Sequence, residues 1–339
     1  MNKKVFFRVL KINLFLIFSL IFINCNSSSK EEYGYDKNAS ISGKKIGYSS
    51  PSLNAPYYKA LLNSLKETTL KNDLEFIYTN AEDNPQKQID DINDMIIQGI
   101  DILLLNPKNP KTLLAATKNA EAIGIPVFII DGSINKSANY VTNIQSNNHI
   151  NGEFVGKWLA KKMDSIKMNI VLLSGTKDNP VGKERKDAVL QGLINYQLNT
   201  LGKTNFNIVS QYFTNWSYDG SKKAISKMLE ANKEVNVIIA ESDVCVLGGM
   251  NQLIETGKTN DILIVSAADG QKEAVKYIIE SNFYGCTAMN GPNMIGKTII
   301  IYAIQYLKGK RDFSKKTLTP HYLITKENAL DFYNLNSNF

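Results

Sequence analysis

Histidine is nearly missing from this chain, present only at His149 and His321, and cysteine occurs only at Cys25, Cys245 and Cys286. None of these positions has metal-ligand spacing, so neither a metal nor a cofactor is expected. A Gly-x-Ser-x-Gly elbow is missing and no phosphate loop is expected, which argues against hydrolase and nucleotide chemistry. Lys and Arg are scattered with no basic block, so no nucleic-acid surface is expected. After the first apolar stretch no second long hydrophobic run follows, and the body reads as soluble and globular. A chain of 339 residues is too long for one small domain, so two are expected.

The one long apolar run, Ile12 to Ile23, follows Lys3, Lys4, Arg8 and Lys11 and precedes Cys25. A basic start and an apolar core too short to span a bilayer make an export signal over residues 1–24. Its loss takes the formal charge from +7 to +3. Phe22-Ile23-Asn24-Cys25 resembles a bacterial lipoprotein cleavage box, which would make Cys25 the lipid-bearing terminus. Asn24 departs from the usual Gly, Ala or Ser. An ordinary signal with a chance cysteine is the alternative; both place the protein outside the cytoplasm, on the periplasmic side of a membrane. Residues 25–43 read as a flexible tether.

From Lys44 onward, short β-branched runs alternate with amphipathic stretches. Strands are expected at Lys45–Ser49, Leu74–Thr79, Ile102–Leu105, Val127–Ile130 and Tyr140–Ile144. The pattern restarts at Asn169–Leu173, Ile208–Phe213, Val237–Ala240, Ile262–Ser266 and Tyr284–Met289. Pro56, Pro85 and Pro110 are expected in first helical turns. Alternation of this kind means an α/β fold with mostly parallel, doubly wound sheets. The halves echo each other: an apolar strand ends at Asn106 or near Ser242, and a later strand ends in Asp131-Gly132 or Asp269-Gly270. Cys245 and Cys286 are expected as buried free thiols, with a disulfide as the alternative.

Ligands of open α/β sheets bind beyond the carboxyl ends of the strands. Asn106, Asp131, Ser242 and Asp269 occupy that edge, although each Asp-Gly alone also suits a turn or a cap. Tyr57 and Tyr58 open a helix there; one is expected to pack inward and the other to offer an aromatic face to a sugar ring. Trp216 follows a strand and is either core or the opposing face. Arg185 is expected to begin a helix directly after a strand, where its fork suits hydroxyls or a carboxylate.

These residues together resemble the periplasmic sugar-binding proteins of the ribose and galactose/glucose group, relatives of the lactose-type repressor core. The likeness covers about Lys44 to Thr325. It rests on Ser52-Leu53-Asn54-Ala55-Pro56-Tyr57-Tyr58, Leu104-Leu105-Asn106-Pro107, Ile130-Asp131, Glu184-Arg185, Ala268-Asp269-Gly270 and Pro292-Asn293-Met294-Ile295-Gly296. It implies the type I periplasmic binding protein fold, two lobes joined by a three-segment hinge: residues 44–147 plus 291–319, and 148–290 plus 320–335. It also implies ligand contacts at Tyr57, Tyr58, Asn106, Asp131, Asn179, Arg185, Trp216, Ser242, Asp269 and Asn290. Ala55, Gly132 and Ser242 depart from the ribose pattern, while Trp216 and Asn290 look more like the galactose/glucose members. The implied protein is a monomeric, non-enzymatic receptor for a monosaccharide or polyol. Its partners would be an ABC permease and ATPase, or a chemoreceptor or sensor kinase, with the membrane reached only through the lipid anchor. A cleft glycoside hydrolase using Asp131 and Asp269 is the enzymatic alternative. Loss of Asp269 is expected to cost binding but little stability.

Overall fold

The computed structural model describes residues 34–231, 233–335 and 339. Cys25, the signal and most of the tether lie outside them. Two six-stranded sheets organise the rest. The first holds β1 (Lys45–Ser50), β2 (Glu75–Asn80), β3 (Ile102–Leu105), β4 (Val127–Ile130), β5 (Asn143–Gln145) and β11 (Lys316–Leu318), in the order β11-β5-β4-β3-β1-β2. The second holds β6 (Met168–Ser174), β7 (Phe206–Phe213), β8 (Val237–Ala240), β9 (Leu263–Asp269), β10 (Tyr284–Met289) and β12 (Leu323–Thr325), in the order β12-β10-β9-β8-β6-β7. Adding five to each strand number of the run β5-β4-β3-β1-β2 gives the second run, so the echo in the sequence is a duplicated topology. All pairings are parallel except β10 with β12. The central strands β3, β4 and β8 are buried along their whole length, as helices on both faces require.

The helices are α1 (Pro56–Leu70), α2 (Pro85–Ile97), α3 (Leu114–Ala122), α4 (Asn148–Met163), α5 (Pro180–Leu201), α6 (Tyr218–Glu230), α7 (Val244–Leu247), α8 (Met250–Glu255), α9 (Lys272–Glu280), α10 (Pro292–Leu307) and α11 (Ala329–Phe332). Pro56 and Pro85 stand in first turns. Pro110 does not: the Asn109 side chain accepts from Lys111 N–H and Thr112 N–H, and this turn delays α3 to Leu114. Arg185 lies in the second turn of α5, because Asn179 and Pro180 start that helix earlier than expected. The strand sought at Tyr140–Ile144 is the shorter Asn143–Gln145. Strands β11 and β12, three residues each, escaped notice because so short a run carries no periodicity.

The chain passes between sheets after β5, after β10 and between β11 and β12. Met289 knots these passages together. Its carbonyl accepts from Ser146 Oγ at 3.2 Å and Asn151 Nδ2 at 2.9 Å, and its N–H donates to Tyr322 O at 2.8 Å. His149 and His321 are exposed beside these passages; His149 faces Glu153 at 3.4 Å, and His321 lies 5.6 Å from the Phe154 ring. Cys245 and Cys286 are buried free thiols. No helix among the described residues is long and apolar enough to cross a membrane.

Candidate functional site

A cleft opens at the carboxyl edges of both sheets, and all ten residues singled out from the sequence line it. Pro51, Ala55, Lys108, Gly132, Ser133 and Val244 are also in its wall. On the first-sheet side, Tyr57 is buried on α1 and donates its hydroxyl to Asp131 Oδ1 at 2.8 Å. The Tyr58 ring meets Tyr57 edge-on at 5.8 Å, and the Phe339 ring rests on Tyr57 at 5.8 Å. Asp131 follows β4 with φ 60, a left-handed conformation that Asp tolerates better than most residues. Burial pushes its carboxyl above the ordinary carboxylate value, while Arg185 and the Tyr57 hydroxyl pull the other way. The side of Asn106 is crowded by Gly132, where a Cβ would stand 2.9 Å from Asn106 Oδ1.

On the second-sheet side, Arg185 and Asp269 are 4 % and 5 % exposed, so their charges are out of water. Arg185 Nε donates to Asn148 Oδ1 at 2.8 Å, Nη1 reaches Glu241 O at 3.4 Å, and Nη1 lies 3.3 Å from Asp269 Oδ1. Burial works against the guanidinium charge, but Asp269 and Asp131 more than offset it and raise its pKa. Asp269 also accepts from Ser242 Oγ at 2.5 Å and Asn290 Nδ2 at 3.0 Å. Trp216 has φ 55, its ring covers Gly175 and Gly182, and Arg185 Cζ stands 5.9 Å from its centroid.

Proximity does not give every residue the same task. Asn179 Oδ1 caps α5 by accepting from Gly182 N–H at 3.0 Å, and the Ser242 hydroxyl is spent on Asp269. Asn106 Nδ2 and Asn290 Oδ1 are different: both are buried, and Asn290 Oδ1 has no hydrogen-bond partner. Asn106 Nδ2 makes no bond of good geometry, although it lies near enough to Asp131 and Tyr48 to pull both their pKa values down against the larger rise from burial. One is a donor and the other an acceptor, each in the cleft wall. Sequence reasoning missed Asn148, Glu241 and Asp243. Glu241 accepts from Gly175 N–H at 2.8 Å, and its carboxyl is raised by burial. Asp243 accepts from Asp269 N–H, Gln271 N–H, Tyr284 OH and Thr287 Oγ1. Only its place just after a strand end could have marked it.

The segment Gly291-Pro292-Asn293-Met294-Ile295-Gly296-Lys297-Thr298 does spell a phosphate-loop pattern, which the sequence expectation overlooked. Its geometry is not that of a phosphate cradle. Helix α10 already starts at Pro292, and Gly296 packs on α1, where a Cβ would stand 2.7 Å from Ser64 Oγ. Among the described residues no cluster of His, Cys, Asp and Glu is arranged to hold a metal.

Comparison with known proteins accords with this geometry. The chain is 25% identical over 312 residues to the ribose import binding protein of Bacillus subtilis, covering 91% of this chain and 95% of that one. It is 25% identical over 293 residues to a D-apiose import binding protein of Paraburkholderia graminis, covering 86% and 90%. An ABC transporter solute binding protein of Mycobacterium smegmatis, solved with bound glycerol, superposes with a TM-score of 0.79 at 27% identity, covering 88% of this chain and 99% of that one. A family model described as a periplasmic binding protein domain matches residues 46–311. With two duplicated sheets, three passages between them and a polar cleft at the strand ends, the chain belongs to the periplasmic binding protein domain family.

Proposed function

We propose that this protein is the extracytoplasmic receptor of an ABC importer and that it binds a neutral monosaccharide or polyol in the cleft. The observation that carries this reading is the convergence of Asp131, Arg185, Asp269 and Asn290 with the Tyr58 and Trp216 rings on one cleft, in which Asn290 Oδ1 is buried without a partner. A buried polar atom without a partner is costly, and a ligand hydroxyl both donates and accepts, so a polyol can donate to Asn290 Oδ1 while accepting from a neighbouring donor. Asp131 supplies an acceptor, while Tyr58 and Trp216 supply faces for ring C–H groups. The relatives bind ribose and apiose by name, which supports the ligand class. Asp269 already accepts from Ser242 and Asn290 and is ion-paired with Arg185, which favours holding hydroxyls over shuttling protons. In this reading the lobes divide near residues 147, 290 and 319 and close on the ligand by hinge bending, and a membrane permease reads the closed form. Ligand presentation to a chemoreceptor or sensor kinase would use the same closed form.

Thermal-shift screening tests the binding reading. D-ribose, D-apiose, D-galactose, D-allose, myo-inositol and glycerol form the panel, with glucose 6-phosphate as the charged control. A ligand that binds only the folded protein must raise its melting temperature. At least one neutral member is expected to do so, and a response to the phosphate alone would overturn the reading. We further propose that Cys25 carries the lipid anchor. Radiolabelled fatty acid should enter the unaltered protein in cells and not the Cys25→Ser variant.

A further inference from the structure

Asn106 can serve a ligand only if the turn that carries it is held still, and the structure shows what holds it. Strand β3 ends at Leu105, and Pro107 has no N–H to offer, so the ladder stops at Asn106. The Asn106 N–H donates to Ser49 O at 3.1 Å. Its carbonyl accepts from Gln88 Nε2 at 2.8 Å, and Lys108 N–H donates to Gln88 Oε1 at 2.9 Å. Gln88 sits on α2 with 0% exposure, and Nε2 also donates to Ser49 Oγ at 3.1 Å. Its side-chain amide therefore stands in for one more peptide group of a neighbouring strand, giving a donor to the carbonyl and an acceptor to the N–H. A glutamate could not donate to Asn106 O, and a lysine could not accept from Lys108 N–H. The second lobe uses a parallel device: Asp243 accepts from Asp269 N–H at 3.1 Å and Gln271 N–H at 2.7 Å, pinning the turn that carries Asp269.

We propose that Gln88 is a positioning residue for the ligand site, acting through Asn106. The proposal rests on the reading of the cleft as a sugar or polyol site. Gln88→Met keeps the bulk and removes the amide. For the panel compound giving the largest thermal shift, calorimetry should show binding weakened about threefold to tenfold, the worth of one hydrogen bond. The decisive readout is a double-mutant cycle with Asn106→Ala. In the Asn106→Ala background, Gln88→Met should cost no further affinity, while it still lowers the melting temperature. Unchanged affinity in Gln88→Met, or losses that multiply across the cycle, would overturn the proposal. If Gln88→Met does not fold, Ser49→Ala, which removes only one of the Gln88 acceptors, enters the same cycle. There too, a loss absent from the Asn106→Ala background supports the role, and unchanged affinity or multiplying losses overturn it. If no panel compound binds the unaltered protein, the receptor reading fails separately. The Asn106 side-chain amide signals of the empty protein then test Gln88: they should shift or broaden in Gln88→Met, and unchanged signals would overturn its role.

Discussion

Arg185 Nη1 lies 3.3 Å from Asp269 Oδ1, and both side chains are almost wholly removed from water. Such a pair contributes little net stability when intact, yet breaking it strands a buried charge. Asp269→Ala should therefore destabilise the empty protein by about 3–5 kcal/mol, besides abolishing binding. This replaces the expectation from sequence that its loss would leave stability nearly untouched. Urea denaturation checks it, and the double variant Arg185→Met/Asp269→Leu should recover part of the loss. A single variant as stable as the parent would refute the pair.

Trp216→Ala should weaken sugar binding by roughly 1–3 kcal/mol, the worth of one buried apolar face. The only other tryptophan, Trp158, packs against Gly285 on β10, where a Cβ would stand 2.4 Å from its ring. Ligand-induced fluorescence change should thus vanish in Trp216→Phe. Persistence of the full signal would assign it to Trp158 and place Trp216 in the core.

Gly175→Ala should act through the same ring. Its Cβ would lie 1.9 Å from Trp216 Cε2, so the indole must move. A loss of affinity comparable to that of Trp216→Ala is expected, and none beyond it in the Trp216→Ala background. Multiplying losses in calorimetry would contradict this.

Burial, and after it the neighbouring Asp269 carboxylate, push Asp243 from 3.8 up to about 6. Across that window the folded protein binds more protons than the unfolded chain, so stability falls as pH rises from about 4 to about 6. The penalty is absent below the unfolded value and complete above the folded one, at roughly 3 kcal/mol or less. Groups facing Asp243 include Asp269 on β9, Tyr284 and Cys286 on β10, and Tyr218 on α6. Urea unfolding at a series of pH values should give a flatter curve for Asp243→Asn than for the parent. Identical slopes would remove Asp243 as the titrating group.

What the sequence disclosed follows from what chain order encodes. Asp131 and Asp269 were legible because an apolar run ending in Asp-Gly marks a strand end, and strand ends share one edge of a parallel sheet. Tyr57 was legible beside Pro56, which opens its helix. The partners of these residues were not legible. That Ser242 donates to Asp269 depends on the packing of β8 beside β9, which no local pattern records. Gln88 was invisible for a related reason: a polar residue on an amphipathic helix reads as solvent-facing unless its register against the sheet is known. Asn148 reads as a helix start, and nothing nearby announces that Arg185 reaches it from α5.

The knot at Met289 has a mechanical meaning. It is made by the carbonyl and N–H of one residue, gripped by Ser146 and Asn151 on one passage and by Tyr322 on another. Side-chain replacement at residue 289 leaves these bonds in place, so sequence drift there cannot easily loosen the joint. Three passages tied at a single point turn like a door on one pin: they admit rotation and resist sliding. In the receptor reading proposed above, each half would turn as a panel with one coordinate, and a docking partner would need to sense only an angle. Asn151→Ala should add a second mode, visible as a broader distance distribution between spin labels on the two lobes; an unchanged distribution would show that the pin lies elsewhere.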